Sequence, residues 1–178
     1  MRTSFLAKKI STFLNKDETV LDIGAGEGLI GQYLNDSLGF KIEMIDVANH
    51  NRSRLPILVY DGKKLPFERD SFDCVLLIFV LHHAKDKKAL TEEAIRVARK
   101  RIIVVEDTPE SKTGKFFWLV FERLVNFNIA HSAGTQTRAE WREYFNRMGL
   151  RAVYENSFRS GFPVLYAWPH TLFVLDKP

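Results

Sequence analysis

Cysteine is nearly missing from this chain of 178 residues: only Cys74 is present, in a predicted buried strand. No intramolecular disulfide can form, and nothing in the sequence marks the thiol as a nucleophile. Long apolar runs are missing too. The longest, Cys74 to Leu81, falls far short of a membrane span. The first residues do not read as a secretion signal. Phe5, Leu6, Ile10, Phe13 and Leu14 follow helical spacing, and Lys8 and Lys9 interrupt them. Neither sign of charge dominates: a net charge of +4 tolerates an anionic substrate or a nucleic acid and requires neither. Repeats, linkers and low-complexity stretches are absent. What remains is a cytoplasmic globular protein of one domain, residues 1–178, long enough for a sizeable core. No nucleic-acid partner is clear, no membrane span is expected, and the oligomeric state is open.

What is present is concentrated in residues 20–28, Val-Leu-Asp-Ile-Gly-Ala-Gly-Glu-Gly. An apolar run ends in an acid, and glycines follow at alternate positions. The apolar run has the shape of a buried parallel strand, and Leu29 to Leu34 reads as helical. Strand, glycine turn and helix open a doubly wound nucleotide-binding fold, whose ligands sit beyond the carboxyl ends of the strands. A dinucleotide fingerprint would place its third glycine at position 29, where Leu29 stands. A nicotinamide-dependent oxidoreductase is thereby disfavoured. Asp46 closes a second predicted strand, 20 residues past Gly26. A carboxylate there can accept from both hydroxyls of a ribose, in either cofactor class.

The coarse pattern alternates. Strands are expected at about 19–23, 41–45, 56–60, 73–79, 101–106, 151–157 and 170–176. Helices are expected at about 3–15, 27–37, 86–99, 112–128 and 137–148. This implies a mainly parallel α/β sheet covered on both faces. The last two strands are separated by a short loop, which suits an antiparallel pair. Thr137 with Glu140 forms a capping-box pattern, and Gly149 suits a helix stop. Arg96, Arg99, Lys100 and Arg101 are expected at a helix end, where cations suit the dipole.

Asp22-x-Gly24-x-Gly26-x-Gly28, then Asp46, then Asp61-Gly62-x-x-Leu65-Pro66-Phe67 ahead of Ser71-Phe72-Asp73, resemble the class I S-adenosylmethionine-dependent methyltransferases. The match is to the type 11 group, typified by ubiquinone and menaquinone C-methyltransferases. Leu81-His82-His83 is a frequent feature of that group. The resemblance covers about residues 18–107 with specific motifs. It implies a doubly wound, seven-stranded Rossmann-like sheet in the order 3-2-1-4-5-7-6 with strand 7 antiparallel. It implies S-adenosyl-L-methionine as cofactor and S-adenosyl-L-homocysteine as product. Gly24, Ala25 and Gly26 would meet the cofactor with backbone, and Asp22 would help hold its amino-acid end. Asp46 with Val47 would take the ribose, Asp61 with Gly62 the adenine, and Ile78 with Phe79 would line the methyl donor.

Methyl transfer asks mainly for alignment, with a base only where the acceptor carries a proton to lose. His82 is either such a base or a packing and capping residue. No metal is expected, because no Cys or carboxylate cluster accompanies the histidine pair. Glu106 and Asp107 end strand five; each either reaches the acceptor or caps the next helix. His131, in a loop beyond, is a third candidate base. Residues 108–136 form a lid-like insert. Its segment 116–129 is rich in aromatics, and three roles stay open: core helix, wall of an apolar pocket, or contact surface. The expected function is methyl transfer to a small apolar or aromatic acceptor. A non-catalytic scaffold for a protein partner, or a methyltransferase acting on a macromolecule, is the alternative.

Overall fold

The computed structural model describes residues 2–109, 136–160 and 168–177. The expected helix at 112–128, His131, nearly all of the 108–136 insert and the loop at 161–167 lie outside the described residues. Helix α1 spans Arg2–Ser11, and β1 (Thr19–Ile23) leads into α2 (Leu29–Asp36). Strands β2 (Lys41–Asp46), β3 (Leu58–Val59) and β4 (Phe72–Ile78) follow. Helix α3 is Lys87–Val97 and β5 is Ala98–Asp107. The described chain closes with α4 (Arg138–Arg147), β6 (Arg151–Ser160) and β7 (Trp168–Asp176).

All seven strands form one sheet in the order β3-β2-β1-β4-β5-β7-β6. The first five are parallel, and β7 runs antiparallel between β5 and β6. Every residue of β4 is buried, as a central strand covered on both faces must be. Alternate side chains therefore feed two cores. Leu21, Ile23, Val75, Leu77 and Val104 pack under Ala94 and Val97 of α3 and Trp141 and Phe145 of α4. Val20, Cys74, Leu76, Ile103 and Val105 pack under Leu6 and Ile10 of α1 and Leu34 of α2. Burial pushes the Cys74 thiol up to about 12, so it is an inert core residue.

Thr137 caps α4 as its sequence predicts. Its hydroxyl accepts from the Glu140 amide, and the Glu140 carboxylate accepts from the Thr137 amide at 2.8 Å. The outer strand β6 slips in register against β7 between Ala152 and Tyr154, a bulge that leaves Val153 and Tyr154 exposed.

Two expectations are corrected. The strand expected at 56–60 is only Leu58–Val59, exposed at the sheet edge. Helix α3 stops at Val97, and Arg99, Lys100 and Arg101 belong to β5 rather than to a helix end. The pairing of Ala98 with Phe72 draws the chain into the sheet, and acidic neighbours hold the basic run there. Arg99 and Lys100 pair with Asp73 at 3.0 and 3.1 Å, and Arg101 pairs with Glu18. Only Arg96 keeps the expected place, bound to Glu93 at 2.7 Å.

Asp73 thus ties β1, β4 and β5 together at the amino edge of the sheet. Burial pushes its carboxyl up, but the Thr19 amide, Lys100, the Thr19 hydroxyl and Arg99 outweigh that and hold it at about 2. A carboxyl lowered by folding stabilises above its unfolded pKa, so this contribution is lost as pH falls from about 4 to about 2. Asp73→Asn is expected to cost about 2 kcal/mol at neutral pH. It should also weaken the fall in stability across that acid window, read by denaturant melts at several pH values. An unchanged acid profile would remove Asp73 from this role.

Candidate functional site

β1 delivers the chain to the carboxyl edge of the sheet at a turn built on two glycines with positive φ, +72° at Gly24 and +55° at Gly26. They serve different ends. A Cβ at Gly24 would lie 2.5 Å from Val80 Cγ2, so the turn packs against the chain leaving β4. A Cβ at Gly26 would meet nothing within 4 Å, so Gly26 faces open space that a ligand can enter.

Four amides of this turn are already engaged. Gly24 and Ala25 both donate to the Ile45 carbonyl, at 2.8 and 3.2 Å. Gly26 donates to Asp46 Oδ2 at 2.8 Å, and Gly28 donates to the Ala25 carbonyl at 2.8 Å. A pyrophosphate needs free N–H groups at such a turn. This one presents carboxylates instead. Asp46 Oδ1 accepts from the Ala48 amide at 3.1 Å, which leaves two of the carboxylate's four acceptor positions for a ligand. Asp22, 2% exposed, lies one strand away with its carboxyl pushed up to about 7, by burial first and by the Asp46 charge second. A buried acid beside a second acid favours a ligand that brings positive charge and hydroxyls.

The end of β3 completes this edge. The Tyr60 amide donates to the Asp46 carbonyl at 3.1 Å, joining the two strand ends. A Cβ on Gly62 would lie 3.1 Å from Val47 Cγ1, so Val47 and Gly62 are in contact range. Asp61 is exposed, and its Oδ1 accepts from the Lys63 amide at 2.9 Å. Asp22, Gly24, Ala25, Gly26, Asp46, Val47, Asp61 and Gly62 therefore share one stretch of the carboxyl edge. Ile78 and Phe79 stand at the end of β4 beside it. Phe79 holds φ at +58°, and its amide donates to the Val105 carbonyl at 2.8 Å. A bulky residue in that region is strained backbone, found most often at functional sites.

The candidate bases lie farther along the edge, on opposite faces. Glu106 is 0% exposed and points toward the α3 and α4 layer. Its oxygens accept from the Leu81 amide at 2.8 Å and pair with His82 Nδ1. Burial pushes the Glu106 carboxyl up, and its bond to His82 only partly offsets that. Both groups thus brace the chain that leaves β4. Asp107 points to the other face and pairs with His170, whose Nδ1 lies 2.6 Å from Asp107 Oδ1. Sequence reading missed His170. The available signal was topological: an antiparallel β7 begins at the edge where β5 ends, so its first residues face Asp107. Among the described residues, no group of three His, Cys, Asp or Glu side chains could hold a metal, and no helix is long and apolar enough to cross a membrane. A cleft of about 490 Å³ lies away from this edge, lined by Arg69, Lys88, Glu92, Glu93 and Arg96 among others. Its charges largely neutralise one another, through Lys88–Glu92 and Arg96–Glu93.

Residues 21–105 match the family described as a methyltransferase domain. That stretch is similar to the type 11 group of class I S-adenosylmethionine-dependent methyltransferases, which use S-adenosyl-L-methionine as cofactor. A demethylmenaquinone methyltransferase of Beutenbergia cavernae is 33% identical over 121 residues, which is 63% of this chain and 48% of that protein. The chain spans about half, or less, of the length of the curated relatives it matches. Among solved structures, a Bacillus halodurans C-125 protein described as a candidate methyltransferase superposes with a TM-score of 0.78 at 15% identity, over 100% of both chains. The [4+2]-cyclase SpnF superposes with a TM-score of 0.76 at 12% identity, over 98% of this chain and 80% of its own. At such identities the likeness is one of fold, and this fold carries more than one chemistry.

The chemistry of the cradle suits such a cofactor: two acids would meet its cationic and hydroxyl groups, and Gly26 leaves room for it. Gly26→Ala is expected to cost about 1 kcal/mol of stability while weakening S-adenosylhomocysteine binding by about tenfold or more, because the new methyl occupies ligand space. Gly24→Ala is expected to cost on the order of 2–4 kcal/mol through its clash with Val80. Melting curves and calorimetry on the pair separate these roles, and equal loss of stability in both variants would deny them.

Asp22 adds a pH dependence. Its folded pKa of about 7 lies above its unfolded value of 3.8, so the folded state binds the extra proton. Stability of the ligand-free protein therefore falls as pH rises from about 4 to about 7. A cation bound beside Asp22 favours the ionised form, so S-adenosylmethionine should bind more tightly as pH rises toward and through about 7. Asp22→Asn should flatten that dependence and raise the melting midpoint of the free protein above about pH 7. A pH-independent affinity in the parent protein would count against Asp22 as a cofactor contact.

Proposed function

We propose that this chain transfers a methyl group from S-adenosylmethionine to a small apolar or aromatic acceptor. One observation carries the reading: the turn after β1 spends four of its amides internally and leaves open space at Gly26, whose amide is held by the Asp46 carboxylate. Asp46 would hold the ribose hydroxyls with its remaining lone pairs. Asp22 would meet the charged amino-acid end, and Val47 and Gly62 would flank the adenine beside Asp61. When bound, the cofactor supplies an activated methyl group on a positively charged sulfur. The protein then has to align an acceptor and keep water away, which the apolar end of β4 at Ile78 and Phe79 suits.

The relatives named demethylmenaquinone methyltransferases support an apolar ring acceptor. A macromolecular acceptor finds no support in charge, since the net charge is only +4 and the basic run of β5 is paired with Asp73 and Glu18. The competing reading is a scaffold that keeps the fold without transferring methyl groups. Calorimetry with S-adenosylhomocysteine, with NADH as control, separates them at the first step. One-site binding near micromolar affinity, worth about 8 kcal/mol, with no response to NADH, is the expected outcome. A folded protein that binds neither would favour the scaffold.

A further inference from the structure

His170 is 2% exposed, and its Nε2 is buried with no hydrogen-bond partner among the described residues. Its other nitrogen is fixed. An ionised carboxylate only accepts, so Nδ1 carries the hydrogen that points at Asp107, 2.6 Å away. In the neutral ring Nε2 is then a lone pair with a set direction. Leaving such an atom buried and unsatisfied costs stability, and packing alone gives no reason for it. Glu106 shows what a structural acid looks like here, since both its oxygens are engaged by Leu81 and His82.

The position matters as much as the lone pair. His170 shares a sheet face with Leu172 and Val174, and Asp107 shares it with Val105 and Ile103. By the same alternation this is also the face of Asp22 and Ile78. A short path joins the imidazole to the cofactor turn. Val80 packs on Gly24, and the next residue back, Phe79, sets its ring edge-on to His170 at 5.1 Å. Phe158 stands 5.5 Å from the imidazole and meets Phe5 of α1 at 5.6 Å. The lone pair thus sits among aromatic rings, two residues from the turn, on the cofactor's side of the sheet.

We infer that His170 is the general base of this site, held by Asp107 as its positioning residue, and that the acceptor bears an ionisable phenolic or enolic hydroxyl. The inference rests on the methyltransferase reading above. Nε2 takes the hydroxyl proton. The electron pair left on oxygen forms the bond to the methyl carbon, and the carbon–sulfur pair stays on sulfur. The imidazolium is stabilised by the Asp107 carboxylate and returns its proton to water when the product leaves. Burial keeps water from holding the proton meanwhile, so acceptor entry has to uncover Nε2.

The test uses 4-nitrophenol as the probe with the S-adenosylhomocysteine-loaded protein, at a pH below the phenol's own pKa. Saturable binding with growth of the visible phenolate band is expected, because the bound phenol gives its proton to Nε2. His170→Asn keeps a donor toward Asp107 and deletes Nε2. It should bind S-adenosylhomocysteine as the parent does and lose the band. Asp107→Asn should shrink the band while leaving cofactor affinity unchanged, and it serves as the second variant should His170→Asn fail to fold. A full band in either variant, or no saturable phenol binding by the loaded parent, overturns the assignment. Failure of the parent to bind S-adenosylhomocysteine at all would instead overturn the methyltransferase reading, so the two failures are distinct.

Discussion

The Asp46 carboxylate is the fastening on which the carboxyl edge depends. One oxygen takes the Gly26 amide and the other the Ala48 amide, so it locks the turn after β1 to the chain leaving β2. Its backbone carbonyl takes the Tyr60 amide and draws in the end of β3. A single residue thus joins three strand ends, and its carboxylate keeps two acceptor positions for a ligand. Its charge also acts on Asp22, adding to the burial that already holds that carboxyl near 7. The edge is built around two acids rather than free amides, the reverse of what a phosphate-binding turn requires.

The sheet separates two kinds of work. Toward α3 and α4, His82 and Glu106 form a closed pair that holds Leu81 and stiffens the exit from β4. Toward α1 and α2, the same strand ends present Asp22, Ile78, Asp107 and His170. The strained backbone at Phe79 lies where these meet, with its amide anchored on Val105 and its ring on His170. A rigid back and a chemically open front follow from nothing more than the alternation of side chains along β5.

Much of this was legible in the order of residues. The near-continuous apolar run of β4 announces a central strand, and the spacing of Asp22, Gly24, Gly26 and Asp46 announces the turn after β1 and the acid that holds it, because each needs a particular residue type at a particular backbone position. β3 is shorter than its apolar content suggests, since Leu58 and Val59 are exposed at the sheet edge and apolar content there is no guide to length. The basic run at 99–101 was misplaced because its partners, Asp73 and Glu18, are distant in sequence. His170 was invisible for a related reason: its meaning lies in a pairing across 63 positions, between the start of one strand and the end of another. Local patterns reveal what a strand does to its own turn, and only topology reveals what two strands do together.

The bulge between Ala152 and Tyr154 bears on how this molecule meets its own copies. β6 is ten residues long and ends the sheet, so among the described residues one row of its backbone groups has no strand beyond it. A flat edge of that length invites another chain to add itself as an eighth strand. The slipped register breaks the even row of donors and acceptors, and Arg151, Glu155 and Arg159 set charges along it. A strand trying to dock would lose its register partway and bring backbone against charged side chains. The irregularity in β6 therefore guards against edge-to-edge aggregation.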